Sequence, residues 1–122
     1  MKAIRILFLF VIFISCDKNE ESVDLDKVKI RIVNASAQIF QSVYVSSGRG
    51  ENTYLEISPG ESSNYKPYEE AYEYGYIKVT VSGSEYVIQP FDYVGETVLK
   101  PGKYSYILGI VDNNLTLKFT ED

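Results

Sequence analysis

Histidine and tryptophan are absent from this 122-residue chain, and cysteine occurs once, at Cys16. Without histidine the chain lacks the commonest general base and the commonest side-chain metal ligand. A Ser-His-Asp arrangement is therefore excluded, whatever the serines do. A lone cysteine rules out an internal disulfide, a device small exported domains often use. Basic clusters are missing as well. Twelve Lys and Arg stand against 17 Asp and Glu, a formal charge of −5. Such a chain is a poor partner for nucleic acid or for anionic headgroups, both of which require a basic patch. No segment spaces Asp and Asn as an EF-hand loop does, and turn geometry accounts for Asp112-Asn113-Asn114. No cofactor and no metal are expected.

The first residues carry the strongest positive signal. Lys2 and Arg5 precede an apolar run from Ile6 to Ile14, which ends at Ser15-Cys16. A short basic region, a short apolar run and a small residue before a cut site describe a secretory signal peptide. The run is too short to span a bilayer, which takes about 20 residues. Phe13-Ile14-Ser15-Cys16 resembles the lipobox of bacterial lipoproteins, with Phe13 where Leu is commoner. The resemblance implies diacylglycerol on the Cys16 sulfur, cleavage before Cys16 and acylation of the new amino group. Cleavage would leave 107 of the 122 residues, and loss of Lys2 and Arg5 would take the charge from −5 to −7.

Asp17-Lys18-Asn19-Glu20-Glu21 resembles the Lys-plus-acidic export signal of surface-exposed lipoproteins in the Bacteroidota. That likeness implies an outer-membrane protein facing the medium. The enterobacterial sorting rule reads Asp17 the other way, as retention at the inner membrane facing the periplasm. Residues 16–27 are polar, acidic and without periodicity, so they read as the lipidated cysteine and a flexible tether. Eleven such residues reach roughly 17–20 Å.

From residue 28 to residue 122 the pattern is one of strands. Val28, Ile30 and Ile32 alternate with Lys29, Arg31 and Val33, a period of two. Gln41 to Ser46 repeats it with Val43 and Val45, and Gly48-Arg49-Gly50 breaks it. A third strand is expected over Thr53 to Ile57, with Leu55 and Ile57 inward. Ser58-Pro59-Gly60-Glu61 reads as a type II turn, and Lys100-Pro101-Gly102-Lys103 repeats its chemistry. Gly83-Ser84 reads as a two-residue hairpin loop, with Val81 facing Tyr86 and Val79 facing Ile88. Asp112-Asn113 pairs Ile110 with Leu115, Leu108 with Leu117 and Tyr106 with Phe119; Asn113-Asn114 would shift the pairing by two and keep the faces. Tyr68 to Tyr74 allows at most one helical turn. The expected fold is all-β: a single antiparallel sandwich of about seven strands, similar to immunoglobulin-like or transthyretin-like sandwiches.

Tyrosine is abundant, with 11 residues. Tyr65, Tyr68, Tyr72, Tyr74 and Tyr76 crowd one acidic stretch, and Phe91 and Tyr93 lie on a later loop. A tyrosine offers a rigid apolar face with a polar tip, suited to stacking on sugars and to protein contact. These seven residues are the candidate binding patch; the alternative is that they cover the sandwich edge and cap the core. Glu69, Glu70 and Glu73 beside them read as solvated acids, and a small hydrolase built on them is the remote alternative. The expected function is a non-enzymatic binding or structural module on a lipid anchor. Its partner is a protein or a glycan, the latter through the Tyr65–Tyr76 segment.

Overall fold

The computed structural model describes residues 27–90 and 97–122. The expected signal peptide, Cys16, the expected tether up to residue 26, Phe91 and Tyr93 lie outside the described residues. Among the described residues eight strands form: β1 (Val28–Asn34), β2 (Ser42–Ser46), β3 (Glu51–Tyr54), β4 (Lys66–Tyr68), β5 (Tyr76–Val81), β6 (Ser84–Ile88), β7 (Gly102–Val111) and β8 (Asn114–Glu121). They make two four-stranded sheets, ordered β4-β1-β7-β8 and β3-β2-β5-β6. The chain is an all-β sandwich, with the core between the sheets.

Alternation creates that core. Along β1 every second residue is buried, from Val28 through Ile30 and Ile32 to Asn34. Val43 and Val45 of β2, Ile77 and Val79 of β5, and Tyr106 and Leu108 of β7 meet them. Two buried rings complete the packing. Tyr54 donates its hydroxyl to the Ile30 carbonyl at 2.8 Å, and the Tyr54 and Tyr68 hydroxyls lie 2.9 Å apart. Burial of this kind demands such partners, because an unpaired buried hydroxyl costs its lost hydration.

The expected all-β sandwich forms, with differences of detail. Among the described residues there are eight strands, close to the seven or so expected, and Lys66–Tyr68 is a three-residue strand antiparallel to β1. The sheets are not wholly antiparallel, for β1 runs parallel to β7 from Val28–Gly102 to Asn34–Leu108. Alternation alone cannot tell the two directions apart. The third strand lies earlier than expected. Tyr54, opposite Val43, takes the inward position, and Leu55 is 75% exposed. Ile57 is buried as expected, in a bridge to Phe40.

The turns follow backbone chemistry. Gly60, at φ 80°, closes the type II turn with a Glu61 N–H to Ser58 carbonyl bond of 3.0 Å. Gly102, at φ 156°, instead opens β7, so the second such turn does not form. The β5–β6 loop is Ser82-Gly83, not Gly83-Ser84. Val79 therefore faces Tyr86 and Ile77 faces Ile88, two residues from the expected register but on the same faces. A type I′ turn needs positive φ at both central residues, and Ser82 and Gly83 have 49° and 83°. The last hairpin turns at Asp112-Asn113, with the pairing read from the sequence.

Strand directions give the sandwich two ends. Lys27 enters at the proximal end, which also carries residues 47–50, 69–75 and 97–101. Residues 35–41, 55–65, 82–83 and 112–113 form the distal end.

Candidate functional site

The proximal end is built around one serine. Ser47 follows β2 and is buried. Its hydroxyl accepts from the Tyr72 N–H at 2.9 Å and lies 3.2 Å from the Tyr106 hydroxyl. It donates to the Tyr74 carbonyl at 2.8 Å. The single Tyr106 proton points mainly to the Tyr72 carbonyl at 2.6 Å, so the 3.2 Å approach to Ser47 is at most a shared, weaker contact. Ser47 thus holds the β4–β5 segment with its proton, given to the Tyr74 carbonyl, and with one lone pair, offered to the Tyr72 N–H. The Arg49 N–H reaches the Glu70 carbonyl at 3.0 Å, and the Leu99 N–H reaches the Ala71 carbonyl at 2.9 Å. Gly75 completes the fit: a Cβ there would stand 2.5 Å from the Ser46 carbonyl oxygen.

On this support lies an open depression of about 330 Å³, lined by Ser46, Gly48, Arg49, Glu70, Tyr72 and Tyr76. Arg49 and Glu70 pair across it at 3.4 Å. The Tyr76 ring meets Tyr44 of the neighbouring strand with centroids 6.0 Å apart and planes at 66°. The Tyr44 hydroxyl donates to the Glu51 carboxylate. That hydrogen bond, then burial and the carboxylate charge, raise the Tyr44 pKa. The arrangement offers two aromatic surfaces and a solvent-facing pair of opposite charges. Among the described residues no group of three His, Cys, Asp or Glu could hold a metal.

The candidate tyrosines part company. Tyr72 and Tyr76 line the depression, and Tyr74 is half-buried beside it, its carbonyl held by Ser47. Tyr68 cannot present a face to a ligand, being 1% exposed; burial pushes its pKa up to about 12. Its place in β4, opposite Val28, turns it inward. Tyr65 lies over the outer face of the other sheet, with Arg31 and Lys103 each 5.1 Å from its ring centre. There it donates to Asp122 at 2.7 Å. Burial works to raise the Asp122 pKa, but hydrogen bonds from Ser105 and Tyr65, with the Arg31 charge, hold that carboxyl below the usual range. Among the acids, Glu69 pairs with Lys27 at 3.2 Å and Glu70 with Arg49, while Glu73 is exposed.

Arg49, Tyr44 and Ser47 belong to the site but not to the patch expected from sequence. Parity signals Tyr44, since it alternates with inward Val43 and Val45. Ser47 and Arg49 carry no such signal, because their partners lie more than 20 residues away.

No protein-family model matches the chain, and no curated protein matches it. Solved structures do share its fold. A protein from Eubacterium rectale, solved by NMR, superposes with a TM-score of 0.60 at 13% identity, over 80% of this chain and 91% of its own. A candidate cell adhesion protein from Bacteroides uniformis gives 0.54 at 14% identity, over 80% of this chain and 50% of its own. Another from Bacteroides ovatus gives 0.55 at 14%, over 79% and 44%. The chain thus spans about half the length of these two Bacteroides proteins. Likeness at such identities establishes the fold alone.

Proposed function

We propose that the chain is a lipid-anchored, non-enzymatic module of the cell envelope that binds a protein partner through the proximal rim. The supporting observation is the rim itself, where Tyr72 and Tyr76 flank the Arg49–Glu70 pair on a segment held by Ser47. Tyrosine and arginine are the residues that dominate protein interfaces, and a rigid support lowers the cost of ordering them on binding. Support for anchoring at Cys16 and for exposure on the outer membrane comes from the resemblance of Phe13–Cys16 to a lipobox and of Asp17–Glu21 to a surface-export signal. Fold likeness to the Bacteroides adhesion candidates is compatible with this address.

A protein partner is favoured over a glycan by ring geometry. A sugar-stacking platform needs exposed, coplanar rings, whereas Tyr44 and Tyr76 meet at 66°. Tyr68 is buried and Tyr65 faces away on the other sheet.

The test is proximity labelling on intact cells, comparing the native chain with Arg49→Ala and Tyr76→Ala, alongside a glycan array. The expected result is a discrete set of labelled proteins that both substitutions deplete about tenfold or more, with no glycan bound. Loss of one interface hot spot costs about 2 kcal/mol, which corresponds to such a change. A glycan bound by the native chain and lost in Tyr76→Ala would overturn the reading.

A further inference from the structure

Among the described residues the longest strand edge without a paired neighbour is that of β8, with β6 of the other sheet lying beside it. The other edge strands, β3, β4 and β6, have four, three and five residues, against eight in β8. The turn at Asp112-Asn113 fixes which backbone groups are free. In a two-residue hairpin the flanking pair, Val111 and Asn114, is hydrogen-bonded, and such pairs then alternate along the ladder. Asn114, Thr116, Lys118 and Thr120 thus direct their N–H and C=O groups at β7. Leu115, Leu117 and Phe119 direct theirs outward from the edge.

We infer that this edge pairs with the β8 edge of a second copy of the chain, antiparallel and centred on Leu117, joining the two sheets into one. Leu115-Thr116-Leu117-Lys118-Phe119 is a palindrome of character: apolar, polar, apolar, polar, apolar. Centred on Leu117, the pairing sets Leu115 against the partner's Phe119 and Thr116 against the partner's Lys118. Apolar residues stay on the core side in both copies, because the register shift is even. Leu115, Leu117 and Phe119 bond in both directions, for about six backbone hydrogen bonds. A register one step on, centred on Lys118, would set two like charges directly opposite, which is unfavourable.

Charge points to the same occupant. The chain carries −5 overall, and −7 after the expected cleavage, so two copies repel over most of their surfaces. From Asn114 to Thr120 there is no acid and one cation, Lys118. Lysine is also the usual guard of a sheet edge, and here it is set against a neutral threonine. Antiparallel pairing places the two Lys27 ends at opposite ends of the dimer. Two chains tethered in one membrane would then lie with their strands along it.

The test uses the full chain in cells, with Thr116→Cys and Lys118→Cys expressed singly and together, followed by a mild oxidant. Thr116 and the partner's Lys118 form a non-hydrogen-bonded pair, with Cα atoms about 4.5 Å apart, within disulfide range. Both side chains are exposed, so the fold is not at stake. The expected result is a covalent dimer at least tenfold more abundant on co-expression than with either variant alone. Sedimentation of the detergent-solubilised full chain supplies a second measurement. Thr116→Lys should weaken the dimer about fivefold and Thr116→Glu should strengthen it about fivefold, through two cross-strand charge pairs. Equal cross-linking in all three cases, none at all, or a dimer indifferent to both charges would overturn the inference.

Discussion

At the scale of single residues the molecule depends on hydroxyls that are buried but never orphaned. The Tyr54 hydroxyl is donor to Ile30 and neighbour to Tyr68, so it satisfies two other groups. Tyr54→Phe should therefore cost about 1–3 kcal/mol in urea unfolding. Tyr68→Phe should cost less, because the Ile30 carbonyl keeps its donor. The same pair predicts a pH dependence. Burial raises both phenol pKa values, that of Tyr68 to about 12, from an ordinary value of 10.0. A phenol with a raised folded pKa stabilises fully below pH 10, and that contribution is lost as pH climbs through the folded value. Stability should thus fall steeply above pH 10, and less steeply in Tyr54→Phe. Equal costs for the two variants, or a flat alkaline limb, would contradict this account of the core.

At the scale of elements, the β4–β5 segment has no regular structure of its own, yet it positions the rim. Its order is borrowed from Ser47, and the Ser47→Ala variant isolates that dependence. The Tyr72 N–H would lose its acceptor and the Tyr74 carbonyl its donor. A loss of about 1–3 kcal/mol is expected. Hydrogen exchange should rise locally at Tyr72, while β1 and β7 stay protected. Uniform loss of protection across both sheets would mean that the segment is not a separate unit.

The strands were readable because period-two alternation is written locally, as in Val28-Lys29-Ile30-Arg31-Ile32. The final hairpin was readable for the same reason, since turn and pairing lie within 20 residues of one another. Other features are not local. The β1–β7 parallel pairing joins residues more than 70 apart, and nothing in either strand states its direction. The five crowded tyrosines look like one patch in the sequence. A sandwich has two outer faces and an interior, and the chain crosses all three between Tyr65 and Tyr76. Leu55 shows the same limit: its hydrophobicity suggested an inward place, but register gave that place to Tyr54.

For the whole molecule, the two-ended topology ties architecture to anchoring. Lys27 enters beside Glu69 and the tyrosine segment, so a tether on Cys16 would hold that rim near the membrane. The far end carries exposed Leu55 and Ile39, with open depressions of about 350 and 440 Å³ that share Glu56. A domain held in this way is placed to meet partners at the level of the membrane surface. The proposed surface exposure of a lipid-anchored chain can be read out by protease shaving of intact cells. The native chain and Cys16→Ala would be compared, with a periplasmic protein as the integrity marker. The native domain should be digested while the marker survives, and Cys16→Ala should leave the membrane fraction. A native domain protected until the envelope is broken, or a Cys16→Ala chain that stays membrane-bound, would contradict the proposal.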